Sequence, residues 1–245
     1  MAEVIARAQV AGVTRLIVTG TSVAESRAAQ QLATRYPGRL YATAGVHPHD
    51  ARHWDDGTPA VLSELAATPE VVALGETGLD FNRDFSPRPD QERVFDTQLQ
   101  LAATLGLPVF MHERDARERF VQILGRHRDR LTAGVVHCFT GTADDLAAYR
   151  ELDLYIGITG WICDERRGLH LRELVRRIPL DRLLLETDAP YLLPRDVHPK
   201  PANGRNEPAL LLHILQAVAT CLELPAAQVA QITTRNAGTF FRLSR

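Results

Sequence analysis

The sequence predicts an α/β fold: a (β/α)8 barrel of the TIM type, with the N-terminal first strand missing from this chain. Three observations predict it. Short apolar runs alternate with amphipathic stretches of helical period, which selects a parallel sheet with right-handed crossovers. Several of those runs end on a residue able to hold a metal: Val71-Val-Ala-Leu-Gly-Glu-Thr-Gly-Leu-Asp80, Phe110-Met111-His112, Val135-Val136-His137 and Leu185-Glu186-Thr187-Asp188. These endings are spread along most of the chain, whereas an open doubly wound sheet gathers its ligands at one switch point. Polar groups at the C-terminal ends of parallel strands are the layout of a barrel with a metal in its mouth.

Taken in order, Ala2 to Ala11 reads as a helix, with Val4, Ile5, Ala8 and Ala11 on one face and Gly12 as its stop. Arg15 to Thr19 is a short buried strand closed by Gly20. Ser22 caps a helix that runs to Tyr36 and ends at Pro37-Gly38. Leu40 to Val46 is a strand opening into His47-Pro48-His49-Asp50. A helix over Thr58 to Ala67 leads to the Val71 strand, which is expected to stop at Gly75 and deliver Glu76. A polar loop, Phe81 to Asp90, precedes a helix from Gln91 to Leu105. Pro108 to His112 is a strand with its proline first, where a missing N–H is tolerated. Ala116 to Arg128 is helical, Gly134 to Cys138 a strand, and Thr142 caps a helix to Leu152. Leu154 to Thr159 is a strand, Leu169 to Arg177 a helix and Leu183 to Thr187 the last strand. A proline-rich loop, Pro190 to Pro201, leads into two closing helices. The reading yields roughly seven strands where such a barrel has eight. No linker or low-complexity tract divides the chain, so one domain over residues 1–245 is expected.

Hydrophobic residues make up 45% and charged residues 24%, enough apolar material for a packed core and too little charge for disorder. A net charge of −2 argues against a broadly basic nucleic-acid coat, leaving room for local phosphate grip. Cys138, Cys163 and Cys221 form no regular framework. With no membrane-length apolar run and no signal pattern, a reducing, cytoplasmic setting is expected.

Glu76, His112, His137 and Asp188 form the core constellation: hard cations take carboxylate oxygens, and imidazole suits zinc or manganese. Four such residues at four strand ends outweigh the bland reading of each as a hydrogen-bonded buried group. Glu186 stands between two roles, orienting a ligand or pairing with an arginine. His47 is read as a contact for a substrate phosphate or for a ligand, and His49 as a loop residue. His53, His127, His170 and His213 are read as surface. Arg114 points into the same mouth if its strand continues, and Arg195, His198, Lys200 and Arg205 cluster after the last strand, where they could grip phosphate. Phe81, Phe139, Trp161 and Tyr191 lie near the mouth; base stacking uses such side chains, but core packing uses them more often, and only Trp161 beside Gly160 carries a modest functional weight.

The segments GVHPHD, GETGLDF, FMHERDA, VVHCFTGT, YIGITGW, ETDAPYLLPR and RNEPALLLHIL, in that order, closely resemble the TatD family of metal-dependent deoxyribonucleases. The resemblance runs from about Gly12 to the C-terminus. It implies a barrel of the amidohydrolase-like group that hydrolyses phosphodiester bonds with a divalent metal, usually Mg²⁺, with Mn²⁺ or Zn²⁺ as alternatives. The bacterial members most similar to this pattern look like 3′→5′ exonucleases of single strands linked to DNA repair, so single-stranded DNA, and RNA as a second polymer, is the expected partner. The resemblance places metal ligands on Glu76, His112 and His137, a ligand or general base on Asp188, and Arg114 in an HxR motif. Many family members begin with a strand carrying a His-x-His pair; Met1 here falls at the start of the helix that follows it. A single metal from Glu76, His112 and His137 is the expectation. Two other readings stand beside the nuclease: a small-molecule amide, ester or phosphoester hydrolase of the same superfamily, and an impaired barrel that binds nucleic acid without cutting it. A monomer is expected, with the free edges at Arg15–Thr19 and Leu183–Thr187 patched by another segment, a partner or local distortion.

Overall fold

The computed structural model describes residues 1–243; Ser244 and Arg245, the end of the domain expected over 1–245, lie outside the described residues. Among the described residues, seven strands, β1 (Leu16–Val18), β2 (Leu40–Ala44), β3 (Val71–Asp80), β4 (Val109–Arg114), β5 (Gly134–Val136), β6 (Tyr155–Ile158) and β7 (Leu183–Leu185), form one sheet in sequential order. Every neighbouring pair is parallel. The helices are α1 (Ala2–Val10), α2 (Val23–Thr34), α3 (Thr58–Ala66), α4 (Arg88–Leu105), α5 (Arg117–Gly125), α6 (Ala143–Glu151), α7 (Leu169–Leu174), α8 (Leu211–Leu222) and α9 (Ala226–Phe240). Because each crossover lands on the adjacent strand, the sheet curls in one direction, giving a TIM-type half-barrel.

Local chemistry sets the helix ends. The Ser22 hydroxyl accepts from the Glu25 amide at 3.2 Å, and Thr142 with Asp145 makes a reciprocal capping box for α6. Gly106 ends α4 in the left-handed conformation (φ 66°). Consecutive strand residues fall into different apolar clusters, as a pleat of period two requires. Leu74, Met111, Val136, Ile156 and Leu183 pack with helix side chains such as Phe95, Phe120 and Tyr149. Their neighbours Ala73, Phe110, Val135, Tyr155 and Leu184 gather around Phe240 and Phe241 at the end of α9.

Three expectations need correction. The Val71 strand does not stop at Gly75; it continues to Asp80. Gly75 (φ 126°) and Gly78 (φ 137°) take conformations that L side chains avoid, the pairing with β4 shifts between Leu74 and Thr77, and the ladder then resumes through Asp80↔Arg114. The helix expected over 116–128 ends at Gly125 and is followed by a 3-10 turn, Arg128–Arg130. His127, expected at the surface, is buried at 6% exposure, with Nε2 2.8 Å from Asp96 Oδ1 and Nδ1 2.7 Å from Arg130. These polar partners make its burial tolerable.

Among the described residues, β1 pairs only with β2 and β7 only with β6. A cavity of about 1740 Å³ lies between these edges, lined by Leu16, Ile17 and Val18 on one side and Leu184 and Leu185 on the other, and reaches His112 and His137 at the mouth. No single helix is long and apolar enough to cross a membrane.

The two β3 glycines carry the first prediction. A Cβ on Gly78 would collide with the His112 carbonyl, and one on Gly75 with the Phe110 carbonyl. Gly78→Ala is therefore expected to cost on the order of 2–4 kcal/mol through left-handed backbone strain plus overpacking. A urea midpoint unchanged from the parent chain would refute this.

Candidate active site

The mouth is built by the C-terminal ends of the strands, and its backbone is tied before any functional side chain is counted. The Gly20 amide donates to Thr43 Oγ1 at 3.1 Å, and the Glu76 amide to the Gly20 carbonyl at 2.8 Å. Gln98, fully buried on α4, accepts from the Val46 amide at 2.9 Å and donates to Thr77 Oγ1 at 2.6 Å, locking β3 to the segment that carries His47.

On this frame three imidazoles converge on one carboxylate oxygen. Glu76 Oε1 lies 2.8 Å from His137 Nε2, 3.3 Å from His47 Nε2 and 3.3 Å from His112 Nδ1. A second carboxylate, Asp80, is 1% exposed; its Oδ2 sits 2.7 Å from His49 Nε2 and 3.2 Å from His112 Nε2. His112 thus bridges the two acids. Asp80 is oriented by the Asn82 and Arg83 amides, which donate to Oδ1 at 3.0 and 2.8 Å. Glu186 accepts from the Cys138 amide at 3.0 Å and lies 3.5 Å from His137 Nδ1; no arginine pairs with it among the described residues.

The electrostatics follow from burial and proximity. Burial opposes the charge on Glu76, but His137, His47 and His112 outweigh it and hold the carboxyl well below its usual range. Asp80 is likewise held well below: burial is overcome by hydrogen bonds from His112 and His49. His137 is pushed well above the ordinary imidazole value, because Glu76 and Glu186 outweigh its desolvation. His112 is raised in the same sense by Asp80 and Glu76 against burial. His47 goes the other way, since desolvation exceeds the pull of Glu76. The His49 amide donates to His47 Nδ1 at 3.0 Å, so that nitrogen holds a lone pair and Nε2 is the one facing Glu76. Asp188 is raised, first by burial and then by the negative charge of Glu76 and Glu186.

This donor set fits a divalent cation. His47, Glu76 and His112 each present a ligand atom within 4.8 Å of the others. Mixed imidazole nitrogen and carboxylate oxygen suits borderline and hard divalent ions. Three carboxyl groups, Glu76, Glu186 and Asp188, line this cavity, and Asp80 joins them through His112; like charges so placed raise each other unless positive charge is supplied.

Of the residues singled out in the sequence, Glu76, His112, His137, Asp188 and His47 all line the cavity mouth, and so do Glu186, Arg114 and Arg205. Arg195 does not: its guanidinium stands 3.7 Å from Asp164 and 3.5 Å from Glu165, outside the lining. His198 and Lys200 are also absent from that lining, while Trp161 and Tyr191 belong to it. Sequence reasoning undervalued Asp80 and His49. The available signal was spacing: Glu76, Gly78 and Asp80 share one face of a pleat. His49 comes in only because a 3-10 turn, Pro48–His53, folds it back over the strand ends. Asn206 was also missed as a positioning residue. It is buried at 2%, and its amide donates to the carbonyls of Thr187, Tyr191 and Leu192, clamping the turn that carries Asp188.

Comparison with known proteins agrees with this geometry. A family profile described as "TatD related DNase" matches residues 1–242. The chain is 56% identical over 241 residues to the 3'-5' ssDNA/RNA exonuclease TatD of Yersinia pseudotuberculosis, covering 98% of this chain and 93% of that one. It is 54% identical over 242 residues to the protein of the same name in Escherichia coli K12, covering 99% and 93%. Among solved structures, YJJV, a TatD homolog from Escherichia coli K12, superimposes with a TM-score of 0.88 at 30% identity, covering 99% of this chain and 92% of that one. With a family match over residues 1–242 and relatives of this identity, the chain belongs to the TatD-related DNase family.

Proposed function

We propose that this protein is a divalent-metal-dependent 3′→5′ exonuclease acting on single-stranded DNA and RNA, with residues 1–245 working as one hydrolase domain. The observation that carries the reading is the convergence of His47, His112 and His137 on Glu76 in a mouth that also holds Asp188 and arginines. The exonuclease activity named for relatives at 54–56% identity supports it. The resemblance alone suggests the further role in DNA repair.

Glu76, His112, His137 and His47 would hold the ion, with Mg²⁺ the proposed occupant and Mn²⁺ or Zn²⁺ compatible with the same atoms. When bound, such an ion supplies Lewis-acid polarisation of a phosphate oxygen and makes water more acidic. The protein's own groups do the rest. Asp188 accepts the proton of the attacking water, a role favoured by a carboxyl whose proton affinity burial has raised. Arg114 and Arg205 offset charge gathering on the phosphate. Trp161 and Tyr191, at the cavity rim, offer faces for unpaired bases.

The test is digestion of end-labelled single-stranded DNA and RNA with Mg²⁺, Mn²⁺, Zn²⁺ or chelator. Stepwise loss of nucleotides from the 3′ end, abolished by chelator and by Glu76→Ala, is expected. No digestion with any ion would overturn the reading, and turnover of simple esters without nuclease activity would favour the small-molecule hydrolase. Asp80, which orients His112 and His49, should act through the ion site. Asp80→Asn is expected to weaken divalent-ion affinity by about 10–100-fold, read by isothermal titration; unchanged affinity would remove Asp80 from that role.

A further inference from the structure

Away from the mouth, three segments distant in sequence bring unlike donor atoms together. Cys163 ends the 3-10 turn Gly160–Cys163 that follows β6, Asp196 lies in the connection after β7, and His213 is on α8. The Cys163 sulfur, an Asp196 carboxylate oxygen and an imidazole nitrogen of His213 all lie within 4.8 Å of one another. His213 Nε2 is 2.7 Å from Asp196 Oδ1, and the Cys163 sulfur stands beside this pair within the same 4.8 Å cluster. The sulfur side is closed, with Cys163 only 1% exposed, whereas the Asp196 side chain is 48% exposed. The cluster is therefore dry at one end and reachable from solvent at the other.

We propose that Cys163, Asp196 and His213 form a zinc site separate from the active site. Zinc takes sulfur, imidazole and carboxylate donors in a tetrahedron, with Zn–S about 2.3 Å and Zn–N about 2.0 Å, so its ligands stand roughly 3.3–3.7 Å apart. The His213–Asp196 pair, 2.7 Å apart, opens by roughly half an ångström to reach that spacing, and the sulfur, within 4.8 Å of both donors, moves inward to meet the ion. The exposed side leaves the fourth position to water. Charge also matches: a thiolate, a carboxylate and a neutral imidazole balance a divalent cation. In the metal-free protein burial pushes the Cys163 thiol up to about 12, so binding displaces one proton from sulfur to solvent and strengthens with rising pH. Arg172, whose guanidinium donates to the Ile162 carbonyl at 3.2 Å, favours the thiolate.

The structural consequence is a clasp. Asp196 follows Arg195 in the connection that starts at Asp188, and this connection has little regular structure. An ion shared by Cys163 and His213 pins its middle to the turn after β6 and to α8. The proposal does not rest on the nuclease reading, because the test reads binding.

The experiment titrates the intact protein with Co²⁺ as a spectroscopic substitute for zinc, following the near-ultraviolet thiolate-to-cobalt charge-transfer band. The band should form in the parent chain and in Cys221→Ser, and be lost in Cys163→Ser and in His213→Gln. Equilibrium dialysis with Zn²⁺ should show one ion fewer per chain in the same two variants. Absence of the band in the parent, or its survival in Cys163→Ser or His213→Gln, overturns the site. If Cys163→Ser fails to fold, His213→Gln and Asp196→Asn, both altered on the solvent side, take its place: loss of the band in both supports the site, and a band of parental strength in either overturns it.

Discussion

Replacing Glu76 by glutamine is expected to lower kcat/KM for single-stranded DNA by on the order of 10³-fold or more. The side chain keeps its shape but loses the charge on which His137, His47 and His112 converge. A metal's Lewis-acid contribution is worth several kcal/mol of transition-state stabilisation, and each 1.36 kcal/mol is a factor of about ten in rate. Losing the ion from the mouth therefore costs about three powers of ten. The loss should track occupancy: equilibrium dialysis with Mn²⁺ should show the variant taking up less ion at the concentration that saturates the parent. It should also lower the proton affinity of His137, whose elevation comes first from Glu76, and NMR titration of that imidazole in the metal-free protein reads this directly. A glutamine variant that binds Mn²⁺ normally and cuts at the parental rate would remove Glu76 from the centre of the site.

The second large effect belongs to Asp188. Asp188→Asn is expected to lower kcat by about 10²–10⁴-fold, the usual cost of losing a general base, while leaving KM and the bound ion largely intact. The distinction rests on geometry: the three-donor cluster comprises His47, Glu76 and His112, and Asp188 sits beside it on the turn after β7. The pH profile separates a base from a ligand. Burial and the neighbouring Glu76 and Glu186 charges raise the Asp188 carboxyl above its usual value of 3.8. A base works when deprotonated, so activity should fall on the acid side as pH drops through this raised value, and Asp188→Asn should lack that limb. Loss of the ion together with the rate would instead make Asp188 a ligand.

Much of the site was legible from strand endings. Glu76, His112 and His137 each follow an apolar run, and the pleat alternates side chains strictly enough that a strand's last polar residue lands in the mouth. Asp80 was less legible because its role depends on β3 continuing past two left-handed glycines, a path that looks like a strand stop when only residue types are read. His49 was hidden for a related reason: proline beside a histidine marks a turn but does not say where the turn points. Arg195 and Arg205 were indistinguishable in the chain. Folding gives the first to Asp164 and Glu165 and leaves the second on the cavity wall. His127 read as a surface residue because its partner Asp96 is 31 positions away on α4.

By itself the sequence determined the parallel α/β architecture, the order of the strands and the acids and imidazoles at their ends. These follow from local periodicity and from the rule that crossovers are right-handed. Only the tertiary structure decided which of those groups meet: three imidazoles on one oxygen of Glu76, two on one oxygen of Asp80, and a cysteine, an aspartate and a histidine in a second cluster that shares no residue with either. Contacts between groups tens of residues apart depend on strand register and on how far each loop folds back. Neither is encoded in any short window of residues; both emerge when the whole core packs at once.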